Sequence, residues 1–156
     1  MATYVIGDVH GCLKTLKQLL NTLACSEKDT LYFTGDLVNR GPQSLQVLQF
    51  IKQCPYAHIV LGNHDLHALA LYSQKIPWHK PHTLQALLAS EQAPSLFHWL
   101  RQQPLLRIDK QHQLIISHAG LHPHWQPHTA QQYANEVSAF LQQDDWASQI
   151  KHLYGN

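Results

Sequence analysis

Apolar and polar positions in the first half of the chain predict a strand followed by a helix, three times in succession. Three short, mainly apolar runs have the length and the β-branched or aromatic content of buried strands, and they lie at 3–6, 30–34 and 58–61. A helix is predicted after each run from apolar residues at helical spacing, beginning near Leu13, Pro42 and Asp65. Repeated strand–helix units of this kind predict an α/β fold with a parallel sheet.

The pattern is different in the second half of the chain. Proline, histidine, glutamine and serine dominate segment 73–94, which predicts an insertion or lid over the strand edge with one short helix near 83–89. A helix and two strands are predicted next, at 95–102, 105–108 and 113–117. Polar residues separate the two strands, which therefore predict a β-hairpin. No internal repeat or linker interrupts the chain, so we expect one domain over residues 1–156.

Composition narrows the function classes. The chain has 156 residues, of which 44% are hydrophobic and 13% charged, so it can bury a substantial core. Its formal net charge is +1 with histidine neutral, which gives no reason to expect a nucleic-acid or membrane partner. Three cysteines without a C-x-x-C pair, no leader and no membrane-length apolar stretch predict a protein of the reducing cytoplasm. Composition leaves the oligomeric state open.

Three glycine-flanked motifs follow the three predicted strands. Their sequences are GDVHG at 7–11, GDLVNRG at 35–41 and GNHD at 62–65. Because parallel strands end at the same edge of a sheet, we expect these motifs to converge. Together with a histidine after the second hairpin strand, they supply five candidate metal ligands, namely Asp8, His10, Asp36, Asn63 and His118. Carboxylate, amide oxygen and imidazole together suit hard or borderline divalent cations, whereas structural zinc sites are rich in thiolates.

Three residues of these motifs have further roles that a two-metal phosphoesterase needs. The carboxylate of Asp36 has two oxygens and can bridge two cations about 3.5–4 Å apart. Arg40 offers a planar, bidentate donor to phosphate, and His64 can donate a proton to the leaving group. The expected nucleophile is a hydroxide that bridges the two cations. Singly, each residue is typical of an ordinary turn or cap, but their joint occurrence predicts hydrolysis of a phosphate ester or anhydride.

Over nearly its whole length the chain resembles the metallophosphoesterase superfamily. Within it, the chain is similar to the bacterial symmetrical diadenosine tetraphosphatases, which are relatives of the protein serine/threonine phosphatases. Four runs carry the resemblance, at 3–12, 61–67, 99–106 and 117–121. The resemblance implies a layered α/β/β/α sandwich, two divalent cations of manganese or cobalt type, and a dinucleoside polyphosphate substrate. The implied reaction is hydrolysis of diadenosine tetraphosphate to two ADP.

The resemblance also implies how the ligands divide between the two metals. Asp8 and His10 would hold one metal, and Asn63 and His118 would hold the other. Asp36 would bridge the two ions. The resemblance also implies Arg40 as the phosphate ligand and His64 as the catalytic acid.

Two departures from the family leave alternatives open. Asn39 stands where protein phosphatases have an aspartate that orients the histidine, which argues against phosphoprotein hydrolysis. Family members also continue beyond the position of Asn156 and supply a later metal-binding histidine, so we expect a sandwich that is incomplete at its C-terminal side. The first alternative is therefore a truncated, catalytically impaired relative that binds metal or nucleotide, and the second is a phosphoprotein phosphatase. Walker and dinucleotide-binding folds are disfavoured because neither glycine motif occurs.

Overall fold

A three-stranded parallel sheet forms the centre of the structure, a computed structural model that describes residues 1–74 and 83–153. Its strands run in the order β1-β2-β3, with β1 at Thr3–Ile6, β2 at Thr30–Phe33 and β3 at Ala57–Ile59. The helices that alternate with them are α1 at Leu13–Thr22, α2 at Ser44–Lys52 and α3 at Asn63–Tyr72. The predicted strand–helix repeat and its parallel pairing are confirmed, although α2 begins two residues after Pro42.

The central strand is buried on both faces. β2 lies between β1 and β3, and Leu31, Tyr32 and Phe33 are each at most 7% exposed. β1 lies at an edge of the sheet and leaves Val5 53% exposed. A continuous apolar run such as that of β2 is typical of a strand that is covered on both sides. The flanking helices contribute the rest of this core through side chains at helical spacing, including Leu13, Leu16, Val47, Leu48 and Ile51.

The second sheet is the predicted hairpin. Its strands are β4 at Leu106–Asp109 and β5 at Leu114–Ser117, which pair antiparallel. Ile116 packs with Tyr32 and Val60 in a small apolar cluster that joins the hairpin to the parallel sheet. Tyr32 Oη also donates to Asp109 Oδ2 at 2.6 Å. These contacts bring the loop after β5 close to the loops that follow the parallel strands.

The remaining helices are α4 at Gln85–Leu88, α5 at Ala93–Arg101, α6 at Pro127–Gln142 and α7 at Trp146–Gln149, followed by a 3₁₀ helix at Ile150–Leu153. The sequence analysis makes no prediction for α6, although Pro127 in its first turn and apolar residues at helical spacing, including Ala130, Val137 and Leu141, are typical of a helix. This helix packs on β4, and Arg101 Nη1 donates to the Leu141 carbonyl at 2.8 Å. Helices, parallel sheet, hairpin and α6 give the layered arrangement that the resemblance implies.

The short helix predicted near 83–89 is present as α4. The chain at this point buries Leu84 and Leu87 completely against the main core. Residues 75–82 lie outside the described residues, so the predicted lid over 73–94 stays a prediction, as does the single domain over 1–156. In the described ranges, no helix combines the length and the apolar character that a membrane span requires.

Candidate metal centre

The loops after β1, β2, β3 and β5 bring the five predicted metal ligands together. His10 Nε2 lies 3.3 Å from Asp8 Oδ2 and 3.8 Å from Asp36 Oδ2. His118 Nε2 lies 3.5 Å from Asp36 Oδ1 and 3.0 Å from Asn63 Oδ1. Four loops that are distant in sequence therefore meet at one point, as the placement of the motifs at strand ends predicts.

Asp36 lies at the centre of this group. It is 3% exposed, and its two oxygens face different histidines, Oδ2 toward His10 and Oδ1 toward His118. The backbone amide of His64 donates to Oδ1 at 2.9 Å and holds the carboxylate in place. Two groups of potential ligand atoms, each within 4.8 Å of one another, share Asp36, and they are His10–Asp36–His64 and Asp8–Asp36–His118. A carboxylate whose two oxygens face different imidazoles is what two adjacent divalent cations need.

Backbone carbonyls determine which nitrogen of each ligand histidine faces the site. Nδ1 of His118 donates to the Thr34 carbonyl at 2.8 Å, and Nδ1 of His10 lies 3.4 Å from the Val38 carbonyl. Because a carbonyl only accepts, each ring carries a proton on Nδ1, and the neutral ring presents the lone pair of Nε2 to the site. Nε2 of His118 then meets a second acceptor, Asn63 Oδ1, at 3.0 Å. Two acceptors this close repel each other unless a cation or a proton lies between them, so these residues fit a divalent cation.

His64 has the opposite arrangement of donor and acceptor. Asn39 Oδ1 accepts from the Arg40 amide at 2.8 Å and from Thr83 Oγ1 at 3.2 Å. The NH₂ group of Asn39 therefore faces Nδ1 of His64, at 2.8 Å, and the neutral ring carries its proton on Nε2. Burial lowers the pKa of His64, although the charge of Asp36 opposes this effect. His64 is thus presented as a neutral hydrogen-bond donor rather than as a metal ligand.

The loops that carry these side chains have left-handed backbone angles that residues other than glycine rarely adopt. φ is 47° at His10, 52° at Asp36, 73° at Asn39 and 64° at Arg40. Each such residue costs on the order of 1–3 kcal/mol, and residues of this kind cluster at functional sites. Hydrogen bonds between the loops stabilise these strained backbone angles. They include the bond from the His10 amide to the Asp36 carbonyl and the bond from the Gly41 amide to the His10 carbonyl, both at 2.8 Å.

The two metal-facing loops are tied together by a residue that is absent from the predicted site. Asp65 is fully buried, and its two oxygens accept the Leu37 amide and the Gly62 amide, each at 3.0 Å. Burial raises the pKa of Asp65 to about 7, although its hydrogen bonds act in the opposite direction. The available signal was an acidic residue three positions after the residue that caps α3, where a carboxylate returns to the capping amide.

The site is open to solvent on one side. Asp8 and Asn63 are exposed, and so is Arg40, the predicted phosphate ligand, which follows Asn39 in the loop after β2. The three histidines of the site are each partly buried, and Asp36 lies beneath them. A ligand can therefore reach the outer residues from solvent while the bridging carboxylate stays protected from it.

Comparison with known proteins agrees with this geometry. A family model described as calcineurin-like phosphoesterase matches residues 1–154. The chain is similar to curated symmetrical bis(5'-nucleosyl)-tetraphosphatases of Proteus mirabilis and Pectobacterium carotovorum, with 48% and 47% identity over 159 aligned positions. These alignments include 100% of this chain but 58% and 56% of the two relatives. The chain thus spans little more than half the length of the curated relatives it matches.

A solved structure is also similar to the chain. A crystal structure described as that of a candidate diadenosine tetraphosphatase superposes with a TM-score of 0.68 and 34% sequence identity. The match covers 81% of this chain and 53% of the solved one. The family model extends over nearly all of the sequence, and the loops that it includes carry the whole converging ligand group. The chain belongs to the calcineurin-like phosphoesterase family.

Proposed function

We propose that the protein hydrolyses diadenosine tetraphosphate symmetrically, to two molecules of ADP, at a centre of two divalent cations. One observation carries the proposal, namely that the two oxygens of Asp36 face different histidines, Oδ2 toward His10 and Oδ1 toward His118. The similar bacterial proteins are symmetrical bis(5'-nucleosyl)-tetraphosphatases, and they supply the substrate and the position of cleavage for the proposal. The site chemistry supports metal-dependent hydrolysis of a phosphate ester or anhydride, and the relatives support this particular substrate.

The proposed ligands divide by position. Asp8 and His10, adjacent after β1, hold one cation, and Asn63 and His118 hold the other. Asp36 would help to hold both, since its two oxygens face His10 and His118. A set of oxygen and imidazole ligands without thiolate suits manganese or cobalt. Bound cations supply neutralisation of the phosphate charge and a water molecule of lowered pKa.

His64 and Arg40 act on the substrate itself in this proposal. Symmetrical cleavage breaks the bond between the central bridging oxygen and one inner phosphorus atom, and the oxygen of water takes the vacated position on that phosphorus. The Nε2–H of His64 donates to the departing oxygen, which leaves on the other ADP. Arg40, exposed beside Asn39, clamps the phosphate oxygens with its planar guanidinium.

Turnover by Asp36→Asn tests the proposal. We expect manganese- or cobalt-dependent formation of ADP from diadenosine tetraphosphate to fall about a hundredfold or more, since bound cations contribute several kcal/mol to such reactions. Asp144→Asn removes an exposed carboxylate outside the site and is expected to keep wild-type turnover. Circular dichroism of both variants checks that they are folded.

The products distinguish the remaining alternatives. ATP and AMP instead of ADP would exclude symmetrical cleavage, and release of phosphate from a phosphopeptide would favour the phosphoprotein phosphatase. A folded wild-type chain that binds manganese without hydrolysing the dinucleotide would favour the catalytically impaired relative.

We extend the proposal to a location in the reducing cytoplasm, without a nucleic-acid or membrane partner. Its support is that Cys12, Cys25 and Cys54 are all free, as expected where thiols stay reduced. The formal net charge of +1 gives no general attraction to polyanions.

A further inference from the structure

An apolar cleft borders the metal centre. Its volume is about 370 Å³, and its lining includes Asn63 and His118, the two residues proposed to hold the second cation. The remaining walls come from α3, the chain at the start of β4, the loop after β5 and α6, with Leu66, Leu105 and Val137 among the apolar contributors. Because the cleft and the metal centre share two residues, the cleft is directly accessible to a molecule bound at the second cation.

The lining of the cleft suits a flat, uncharged group rather than a phosphate. No lysine, arginine, aspartate or glutamate lines it among the described residues. Small residues, including Ala119, Gly120 and Ala134, line it without filling it. The polar side chains of the lining include Asn63 and His118, which the cleft shares with the metal centre. Ligand sites of this composition bind aromatic groups through apolar contact and take their orientation from a few polar atoms.

Two large aromatic side chains stand at the cleft with part of their surface in solvent. Trp125 and Tyr133 are both 42% exposed, and their ring centroids are 5.0 Å apart with 61° between the planes. The backbone amide of Trp125 donates to the His122 carbonyl at 2.9 Å, and Tyr133 belongs to α6, so both rings stand on ordered backbone. Exposed aromatic rings on a rigid support are the usual stacking partners of nucleobases.

We propose that this cleft binds one adenosine of the dinucleotide, with Trp125 as the stacking partner of the adenine ring. The inference rests on the proposed function, since it assumes that the phosphates lie at the metal centre. The phosphate chain then leads past Asn63 and His118 into the cleft, where the base meets an apolar wall. The cleft thereby distinguishes a nucleoside polyphosphate from an inorganic one.

Binding of ADP and of inorganic pyrophosphate, measured by calorimetric titration at saturating manganese, tests the inference without any turnover. We expect the wild-type chain to bind ADP about tenfold or more tightly than pyrophosphate, as one base–aromatic stack provides. Trp125→Ala is expected to lose most of this preference while its pyrophosphate affinity is unchanged. Trp125→Phe retains an aromatic ring and should keep most of the preference for ADP. Gln132→Ala is the control: it changes an exposed residue of α6 outside the cleft and should keep the full preference.

Three results would overturn the inference. Equal affinities of the wild-type chain for ADP and pyrophosphate would show that no nucleoside site exists, and the cleft would then serve protein packing. An unchanged ADP preference in Trp125→Ala would remove the proposed stacking partner, and an equal loss for both ligands would mark a structural role. If the wild type prefers ADP but does not hydrolyse diadenosine tetraphosphate, the proposed function fails while the nucleoside site stands.

Discussion

Asn39 controls His64 through a single amide group. Its oxygen already accepts two donors, from Arg40 and Thr83, so only its NH₂ group is available to the ring. An aspartate at this position would accept from Nδ1 instead, and the proton would leave the nitrogen that faces Asp36 in the neutral ring. The choice of amide or carboxylate at position 39 therefore decides whether neutral His64 presents a donor or a lone pair.

Asn39→Asp is expected to lower kcat for diadenosine tetraphosphate about tenfold or more with little change in KM. Replacement of a residue that orients a functional histidine typically lowers activity about 10–100-fold. Steady-state kinetics measure the split between kcat and KM, and the ring ¹⁵N shifts of His64 report its tautomer. Thr83→Val removes one of the two donors to Asn39 Oδ1 and should change both readouts less. A reversed tautomer with unchanged kcat would contradict the proposed role of the His64 proton.

Gly62 shows how little freedom the backbone has at this site. A Cβ on this residue would overlap the carboxylate of Asp36. The bridging carboxylate therefore approaches the backbone closely enough that only glycine fits. The glycine of the GNHD motif is thus explained by the packing of Asp36, as well as by the turn into α3.

At the scale of elements, the hydrogen bond between Tyr32 and Asp109 joins strand β2 to strand β4. His112 also contacts the carboxylate, with Nδ1 2.7 Å from Asp109 Oδ2 and its amide 3.0 Å from Oδ1. The hydrogen bond from Tyr32, followed by those from His112, holds the pKa of Asp109 well below its usual range. Burial is the main reason that the pKa of Tyr32 is raised to about 12, and the hydrogen bond to the same carboxylate is the second. The two sheets are therefore joined by a polar contact beside the apolar cluster of Ile116.

We expect the Tyr32→Phe variant to lose less folding stability in acid than the wild-type chain loses. Because the pKa of Asp109 is lower in the folded than in the unfolded chain, its contribution is present above about pH 4 and is lost as the pH falls further. Removal of the phenol brings the folded-state and unfolded-state pKa values of Asp109 closer together. The variant is therefore less stable than the wild type at pH 7, and its free energy of unfolding falls less between pH 4 and pH 2. Urea unfolding across this range measures the difference. Equal acid slopes for wild type and variant would show that Tyr32 does not set the pKa of Asp109.

At the scale of the whole molecule, the metal centre connects loops from both sheets. Its proposed ligands follow β1, β2, β3 and β5, so two bound cations that share Asp36 would together restrain four chain segments. The unfolded chain cannot hold these residues together. Cation binding is therefore expected to stabilise the folded state in proportion to its occupancy.

Added manganese is expected to raise the melting temperature of the wild-type chain by on the order of 5 °C or more. Binding at a concentration of 100 times Kd contributes about 2.7 kcal/mol, and for a chain of this size about 1 kcal/mol corresponds to a few degrees. Asp36→Asn should show a much smaller rise, while Asp144→Asn should match the wild type. Differential scanning calorimetry over a series of manganese concentrations measures the shift. An equal rise in all three proteins would place the stabilising cation elsewhere.

The fold was predictable to the extent that its elements have local signals. Strands β1 to β5 and helices α1 to α5 follow from apolar spacing, glycine and proline positions, and short polar turns. Helix α6 has local signals too, in Pro127 at its start and in Ala130, Tyr133, Val137 and Leu141 at helical spacing, so it was predictable in the same way. Its position depends on β4 and on Arg101, both of which precede it in the chain.

The sequence by itself determined the types of ligand and the sheet edge at which they meet, because a residue at the end of a parallel strand has its location set by local pattern and chain topology. Only the tertiary structure decided which atoms face one another. The position of Asp36 between His10 and His118, the buried tie through Asp65 and the proton position on His64 depend on contacts between residues such as Thr83 and Asn39, which are 44 positions apart. Such contacts leave no periodic trace in the sequence, because each is a single donor meeting a single acceptor after the loops have packed.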